Sequence, residues 1–120
     1  MTYDPQNIFA RILRGEIPCQ KVFESEHALA FHDIHPQAPV HVLVIPKGAY
    51  VSLQDFSATA SPDELTGFFR AVAAVAQQLG LVEAGYRALA NVGSNGGQEV
   101  PHFHVHLFGG RRLGSMLGRG

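Results

Sequence analysis

The chain is poor in cysteine and almost free of net charge. Cys19 is the sole cysteine in 120 residues, which excludes an internal disulfide and the paired-thiolate spacings of zinc fingers. Nine basic against ten acidic residues leave a formal charge of −1, so no field draws the chain onto nucleic acid or a membrane surface. No apolar run approaches membrane-spanning length. The opening Met1-Thr2-Tyr3-Asp4-Pro5-Gln6-Asn7 lacks a basic region followed by a hydrophobic stretch, so no signal peptide is expected. A cytoplasmic protein with no nucleic-acid or membrane partner is the expectation. The 46% apolar and 16% charged composition suits one soluble globular domain over residues 1–120 with one core.

What the chain does have is histidine, seven in all. Three alternate with apolar residues in His102-Phe103-His104-Val105-His106-Leu107-Phe108. In an extended chain successive side chains point to opposite faces, so the imidazoles share one face and Phe103, Val105 and Leu107 the other. Three uses fit such a row. It is an exposed polar strand face, a metal site with His41 as a further ligand, or a catalytic group flanked by residues that set its tautomer. Upstream, Asn91-Val92-Gly93-Ser94-Asn95-Gly96-Gly97-Gln98-Glu99 is a glycine-rich turn whose backbone N–H groups can receive an anion. Beside the histidine row, that turn favours phosphate handling over metal binding.

The remaining pattern reads as α+β. Ile8 to Gly15 has helical spacing, with Asn7 as N-cap and Gly15 as stop. Lys21–Glu24 and Ala28–His32 read as strands around a polar turn. After the proline-stiffened loop 33–39, Val40–Ile45 is a buried central strand that carries His41. Ser61-Pro62-Asp63-Glu64 starts a long helix through a capping box. Its buried stripe is Leu65, Phe68, Phe69, Val72, Ala76 and Leu79, and Gly80 ends it. Tyr86–Val92 and His102–Phe108 are the last strands, and residues 109–120 form a Gly- and Arg-rich, loosely ordered tail. Helix, three strands, long helix and two strands imply a mainly antiparallel sheet, with the strand order left open.

The run from Gly97 to Arg111, with His102, His104 and His106, resembles the signature of the histidine triad (HIT) superfamily. Phe31-His32-Asp33-Ile34-His35-Pro36-Gln37-Ala38-Pro39-Val40-His41 through Lys47 resembles its Hint branch, as does Ile8-Phe9 through Gly15-Glu16-Ile17-Pro18. The likeness runs from about Asn7 to Arg112. Gly109-Gly110-Arg111 stands where the dinucleoside-polyphosphate hydrolases of the superfamily carry Pro-Arg, which favours the purine nucleoside phosphoramidase branch.

The resemblance implies a five-stranded sheet with one long and one short helix, and a homodimer with a continuous ten-stranded sheet. It implies cleavage of P–N bonds in purine nucleoside 5′-monophosphoramidates and aminoacyl adenylates, with AMP or GMP as bound nucleotide and no cofactor or metal. His104 would be the nucleophile, His102 its support, His106 a phosphate contact and His41 a partner that sets protonation. Asp33 would accept hydrogen bonds from the ribose hydroxyls. Phe31, His32 and Ile34 would hold the purine, and Asn91, Gly97 and Gln98 the phosphate end. Two other readings stay open, a dinucleoside polyphosphate hydrolase or nucleotidyl transferase, and a nucleotide-binding protein without turnover. Glu99 has no assigned role. Asn7-Ile8-Phe9-Ala10 lacks the cysteines of a zinc segment found in some relatives, and the tail lacks the tryptophan that shapes the leaving-group side in others.

Overall fold

The computed structural model describes residues 2–118, so the last two tail positions, Arg119 and Gly120, lie outside the described residues. Helix α1 (Ile8–Leu13) begins where Asn7 Oδ1 accepts the Ala10 N–H at 2.9 Å. Strands β1 (Lys21–Glu24), β2 (Ala28–His32) and β3 (Val40–Pro46) follow as expected. The long helix α3 (Pro62–Gln78) starts at the expected capping box. Ser61 Oγ accepts the Glu64 N–H, and the Glu64 carboxylate accepts the Ser61 N–H, both at 3.1 Å. After Gln78 the chain leaves through Gly80 at φ +71°, a left-handed conformation that costs glycine nothing. Strands β4 (Arg87–Leu89) and β5 (Val105–Gly109) complete one antiparallel sheet in the order β1-β2-β3-β5-β4. No helix among the described residues is long and apolar enough to cross a membrane.

Several details differ from the sequence expectation. A further helix, α2 (Leu53–Thr59), precedes α3. It is built on a capping box of its own, in which the Asp55 carboxylate accepts the Ser52 N–H and Ser52 Oγ accepts the Gln54 N–H. Its Phe56 is fully buried against Phe68 and Phe103. The glycine-rich turn also contains one helical turn, α4 (Gly93–Gly96), closed by Gly97 at φ +74°. The single short helix expected is therefore joined by two more short elements.

The last strand starts at Val105 rather than His102, because the preceding backbone is engaged elsewhere. The Phe103 N–H donates to the Tyr50 carbonyl at 2.8 Å, and the His102 carbonyl accepts from the His104 ring. It ends at Gly109, so the tail begins one residue later than expected. Strand β4 is shorter than expected as well. Its register pairs Leu89 with His106, so residues 91–92 fall opposite His104 and Phe103, which precede β5.

Phe69, placed in the buried stripe, is 50% exposed. One residue is about 100° of helical rotation, and Phe68 takes the inward position. Phe68, Ala71, Val75 and Ala76 are the buried residues of α3, with Leu65, Val72 and Leu79 packed at the margin of the core.

The sheet separates two apolar layers. Ala28, Ala30, Val42, Val44, Val105 and Leu107 face α2 and α3 together with Phe103. On the other face Leu29, Phe31, Leu43 and Ile45 pack against Phe9 of α1. The pleat therefore sends the histidines to the α1 side while their apolar neighbours fill the α3 side.

Candidate active site

Register assembles the site. His41 faces Phe108, and Leu43 faces His106, across the β3–β5 pair. Side chains two residues apart share a face, so His41 and His106 become diagonal neighbours with His104 beyond them. The ring centroids of His104 and His106 are 5.0 Å apart, and those of His41 and His106 are 5.2 Å apart. Phe9 of α1 closes the group edge-on, 5.0 Å from the His104 ring and 6.3 Å from that of His102.

The row is not an exposed polar strand face. His102 is 0% exposed, His41 2% and His104 7%, so the imidazoles sit in a cleft whose walls restrict each proton. His104 Nδ1 lies 2.7 Å from the His102 carbonyl, which only accepts. Nδ1 therefore carries the hydrogen, and Nε2 keeps its lone pair. His102 Nε2 lies 2.9 Å from the Pro46 carbonyl and so carries its hydrogen there. His41 Nδ1 accepts the Gln37 N–H at 3.1 Å, which places the His41 hydrogen on Nε2, 2.9 Å from His106 Nδ1. His106 is thereby left with its hydrogen on Nε2. Four neutral rings thus have four assigned tautomers, three fixed by a backbone group that acts in one direction and the fourth, His106, by the His41 hydrogen that follows from them. His104 offers a lone pair, and His106 offers a donor.

Burial keeps these rings neutral. Loss of solvation pushes the His102 pKa down to about 4. It does the same for His106, helped by the neighbouring His104 and His41 charges, again to about 4. His104 is lowered by burial too, opposed by its bond to the His102 carbonyl and by the Asp33 and Glu99 charges. His41 is lowered by burial and partly restored by Asp33, whose Oδ2 is 3.5 Å from His41 Nε2.

The expected site residues divide between two hollows that meet at Asp33. One is lined by His104, His106, Asp33, Asn91 and Gly97, with Glu99 at its exposed rim and His35, Gln37 and Val100 alongside. The other is lined by His32, Ile34 and Asp33 with Pro18, Cys19 and Pro36. Asp33 Oδ1 accepts the His35 N–H at 2.7 Å, which holds the carboxylate between them.

Four expected residues line neither hollow: the buried His41 and His102, Phe31 and Gln98. Phe31 is 4% exposed and packs on Phe9 with ring centroids 5.5 Å apart, beneath the pocket rather than along it. The Gln98 side chain turns inward, donating to the Val51 and Val100 carbonyls and accepting the Gly93 N–H. It fixes the loop that carries Gly97 and Glu99. Phe9, Gln37, Tyr3 and the Pro46 carbonyl were not among the expected site residues. Phe9, Gln37 and Pro46 lie within the Hint-like segments, where no role was assigned to them, and Tyr3 lies outside every motif.

Asp33, His41 and His106 also bring three potential metal-ligand atoms within 4.8 Å of one another. Two of these atoms, His41 Nε2 and His106 Nδ1, already satisfy each other through one hydrogen bond.

Residues 14–113 match the HIT domain family. An uncharacterized 13.2 kDa HIT-like protein of Azospirillum brasilense is 66% identical over 119 residues, covering 99% of this chain and 98% of its own. The purine nucleoside phosphoramidase of Escherichia coli K12 is 45% identical over 113 residues, 93% of each chain. Among solved structures, a histidine triad protein from Clostridium difficile superposes with a TM-score of 0.85 at 38% identity, covering 95% of this chain and 98% of that one. On the histidine row, the sheet that presents it and a family match over most of its length, the chain belongs to the HIT family.

Proposed function

We propose that this protein is a nucleotide hydrolase that cleaves the P–N bond of purine nucleoside 5′-monophosphoramidates, and the activated bond of aminoacyl adenylates, through a covalent intermediate on His104. The observation that carries the reading is the hydrogen bond from His104 Nδ1 to the His102 carbonyl. It leaves Nε2 unprotonated in a site that burial keeps neutral, and a neutral imidazole is the form that attacks phosphorus.

In the first step Nε2 bonds to the α-phosphorus and the P–N bond breaks, the amine leaving with its electron pair and taking up a proton. In the second step water displaces His104, restoring the ring and releasing the nucleoside monophosphate. The His106 Nε2–H offsets charge on a phosphoryl oxygen throughout. Asp33, acceptor-only when ionised, suits the two ribose hydroxyls. The hollow of His32, Ile34 and Pro18 suits a flat purine. Asn91 and the Gly97 backbone flank the phosphate end, and the Glu99 carboxylate at the rim favours an amine leaving group over an anionic one. The name of the Escherichia coli relative agrees with this reading. We further propose a homodimer in the cytoplasm, where a reducing environment suits the free thiol of Cys19.

The test compares adenosine 5′-phosphoramidate with a diadenosine polyphosphate, using chelator-treated wild type and His104→Ala. Hydrolysis of the phosphoramidate by wild type, reduced roughly 10³-fold or more in the variant, is expected. Equal rates in the two proteins would remove His104 as the nucleophile. Faster turnover of the polyphosphate would favour the other hydrolase reading, and tight AMP binding with no turnover would favour a binding protein.

A further inference from the structure

Tyr3 lies before the first helix and outside every motif of the sequence. Even so, its hydroxyl is 2.6 Å from Nδ1 of His102, a fully buried histidine. We propose that Tyr3 is a positioning residue for the reaction at His104. Its phenol locks His102 in one tautomer and orientation, and His102 in turn holds the attacking ring through its backbone carbonyl. The inference rests on the functional reading above for the reaction it serves, and on geometry for the contact itself.

The direction of each bond follows from what its partner can do. The Pro46 carbonyl accepts from His102 Nε2 at 2.9 Å. A neutral ring with its hydrogen on Nε2 presents a lone pair at Nδ1, and only a donor satisfies it. The Tyr3 hydroxyl is that donor. The opposite tautomer would set the Nε2 lone pair against the Pro46 carbonyl oxygen inside a dry site, an unsatisfied and repulsive pairing. Tyr3 and Pro46 therefore clamp the ring from both sides. Contact between the rings, edge-on at 5.6 Å, restricts its tilt as well. The His102 carbonyl belongs to the same residue and accepts from His104 Nδ1 at 2.7 Å. A shift of His102 thus moves the atom that orients the nucleophile.

The segment that carries Tyr3 is itself tied down. Asp4 O accepts from the Asn7 backbone at 3.1 Å and from Asn7 Nδ2 at 2.7 Å, while Arg14 donates to Pro5 O at 2.7 Å. Asn7 is also the N-cap of α1, so one side chain joins the helix beneath the histidines to the strap that holds His102. No element of the sheet supplies the Tyr3 contact.

Tyr3→Phe keeps the ring and removes only the donor. Two readouts separate positioning from general stabilisation. Imidazole ¹⁵N NMR of the protein without substrate reports the hydrogen bonding of each ring nitrogen of His102 and His104, and steady-state kinetics on the phosphoramidate separates kcat from KM. A His102 Nδ1 resonance moved to that of an unbonded lone pair, with Nε2 still protonated against the Pro46 carbonyl, together with a kcat reduced roughly tenfold at nearly constant KM is expected, as for a nucleophile held slightly out of line. An unchanged Nδ1 resonance overturns the proposal, whatever happens to the rate. So does a parallel change in kcat and KM, because that marks a structural role alone. Should wild type fail to hydrolyse the phosphoramidate, the functional reading falls by itself. The NMR arm then decides Tyr3: a shifted Nδ1 resonance upholds the clamp and an unchanged one removes it.

Discussion

Burying neutral histidines makes stability depend on acid in a window where few other groups titrate. His102 has a folded pKa of about 4, lowered by burial, against about 6.5 for a histidine in the unfolded chain. A base depressed in the folded state stabilises the fold fully above the unfolded pKa, and that contribution is lost as pH falls towards the folded pKa. At pH 5 the unfolded ring is almost entirely protonated while the folded ring is about nine-tenths neutral. The difference is about 2 kcal/mol at pH 5, approaching about 3 kcal/mol below pH 4, from about 1.4 kcal/mol per pKa unit. His106, also near 4 from burial and the neighbouring His104 and His41, loses stability over the same window and adds to the His102 share. The His102 loss alone is a sizeable part of the roughly 5–15 kcal/mol a domain possesses. Carboxylates do not confuse the window. Glu24, held down to about 2 by Lys21 and Lys47, gives up its contribution as pH falls from the usual carboxylate range towards 2, below this window. The assay is urea unfolding followed by far-ultraviolet circular dichroism, since the chain has no tryptophan to report by fluorescence. His102→Gln retains a donor for the Pro46 carbonyl and an acceptor for Tyr3 but cannot titrate. Wild type should lose about 2 kcal/mol more than this variant between pH 7.5 and pH 5. An identical loss in the two proteins would refute the burial argument for His102.

Two further outcomes follow from the same geometry. Because burial lowers the His104 pKa, the single-turnover rate of nucleotidyl transfer to the enzyme should hold as pH falls to about 6.5 and decline only below it; an acid midpoint above that value would contradict a buried neutral nucleophile. The edge strand β4 (Arg87–Leu89) and the adjoining apolar Val82 and Tyr86, exposed by 53% and 39%, offer a surface to a second copy. Sedimentation velocity should give twice the chain mass, and a monomer mass at micromolar concentration would remove the proposed dimer.

The sequence by itself determined a good deal. Alternation in 102–108 put three imidazoles on one side and Phe103, Val105 and Leu107 on the other, because side-chain direction in extended chain is a local property. Asn7 and Ser61 announced helix starts through hydrogen bonds that span three residues. The Hint-like block pointed to Asp33 and His41 as partners of the row, across more than sixty positions. Tertiary structure alone decided the rest. The true start of β5 depended on the Tyr50 carbonyl taking the Phe103 N–H, and no local pattern encodes a bond between residues so far apart. Phe31 became floor rather than wall because α1 packs Phe9 onto it. Most of all, the histidines' protons were assigned by carbonyls of Pro46 and His102, the Gln37 amide and the Tyr3 hydroxyl. Sequence supplies imidazoles that are chemically alike; only the bonds made after folding distinguish the ring that can attack from the rings that hold it in place.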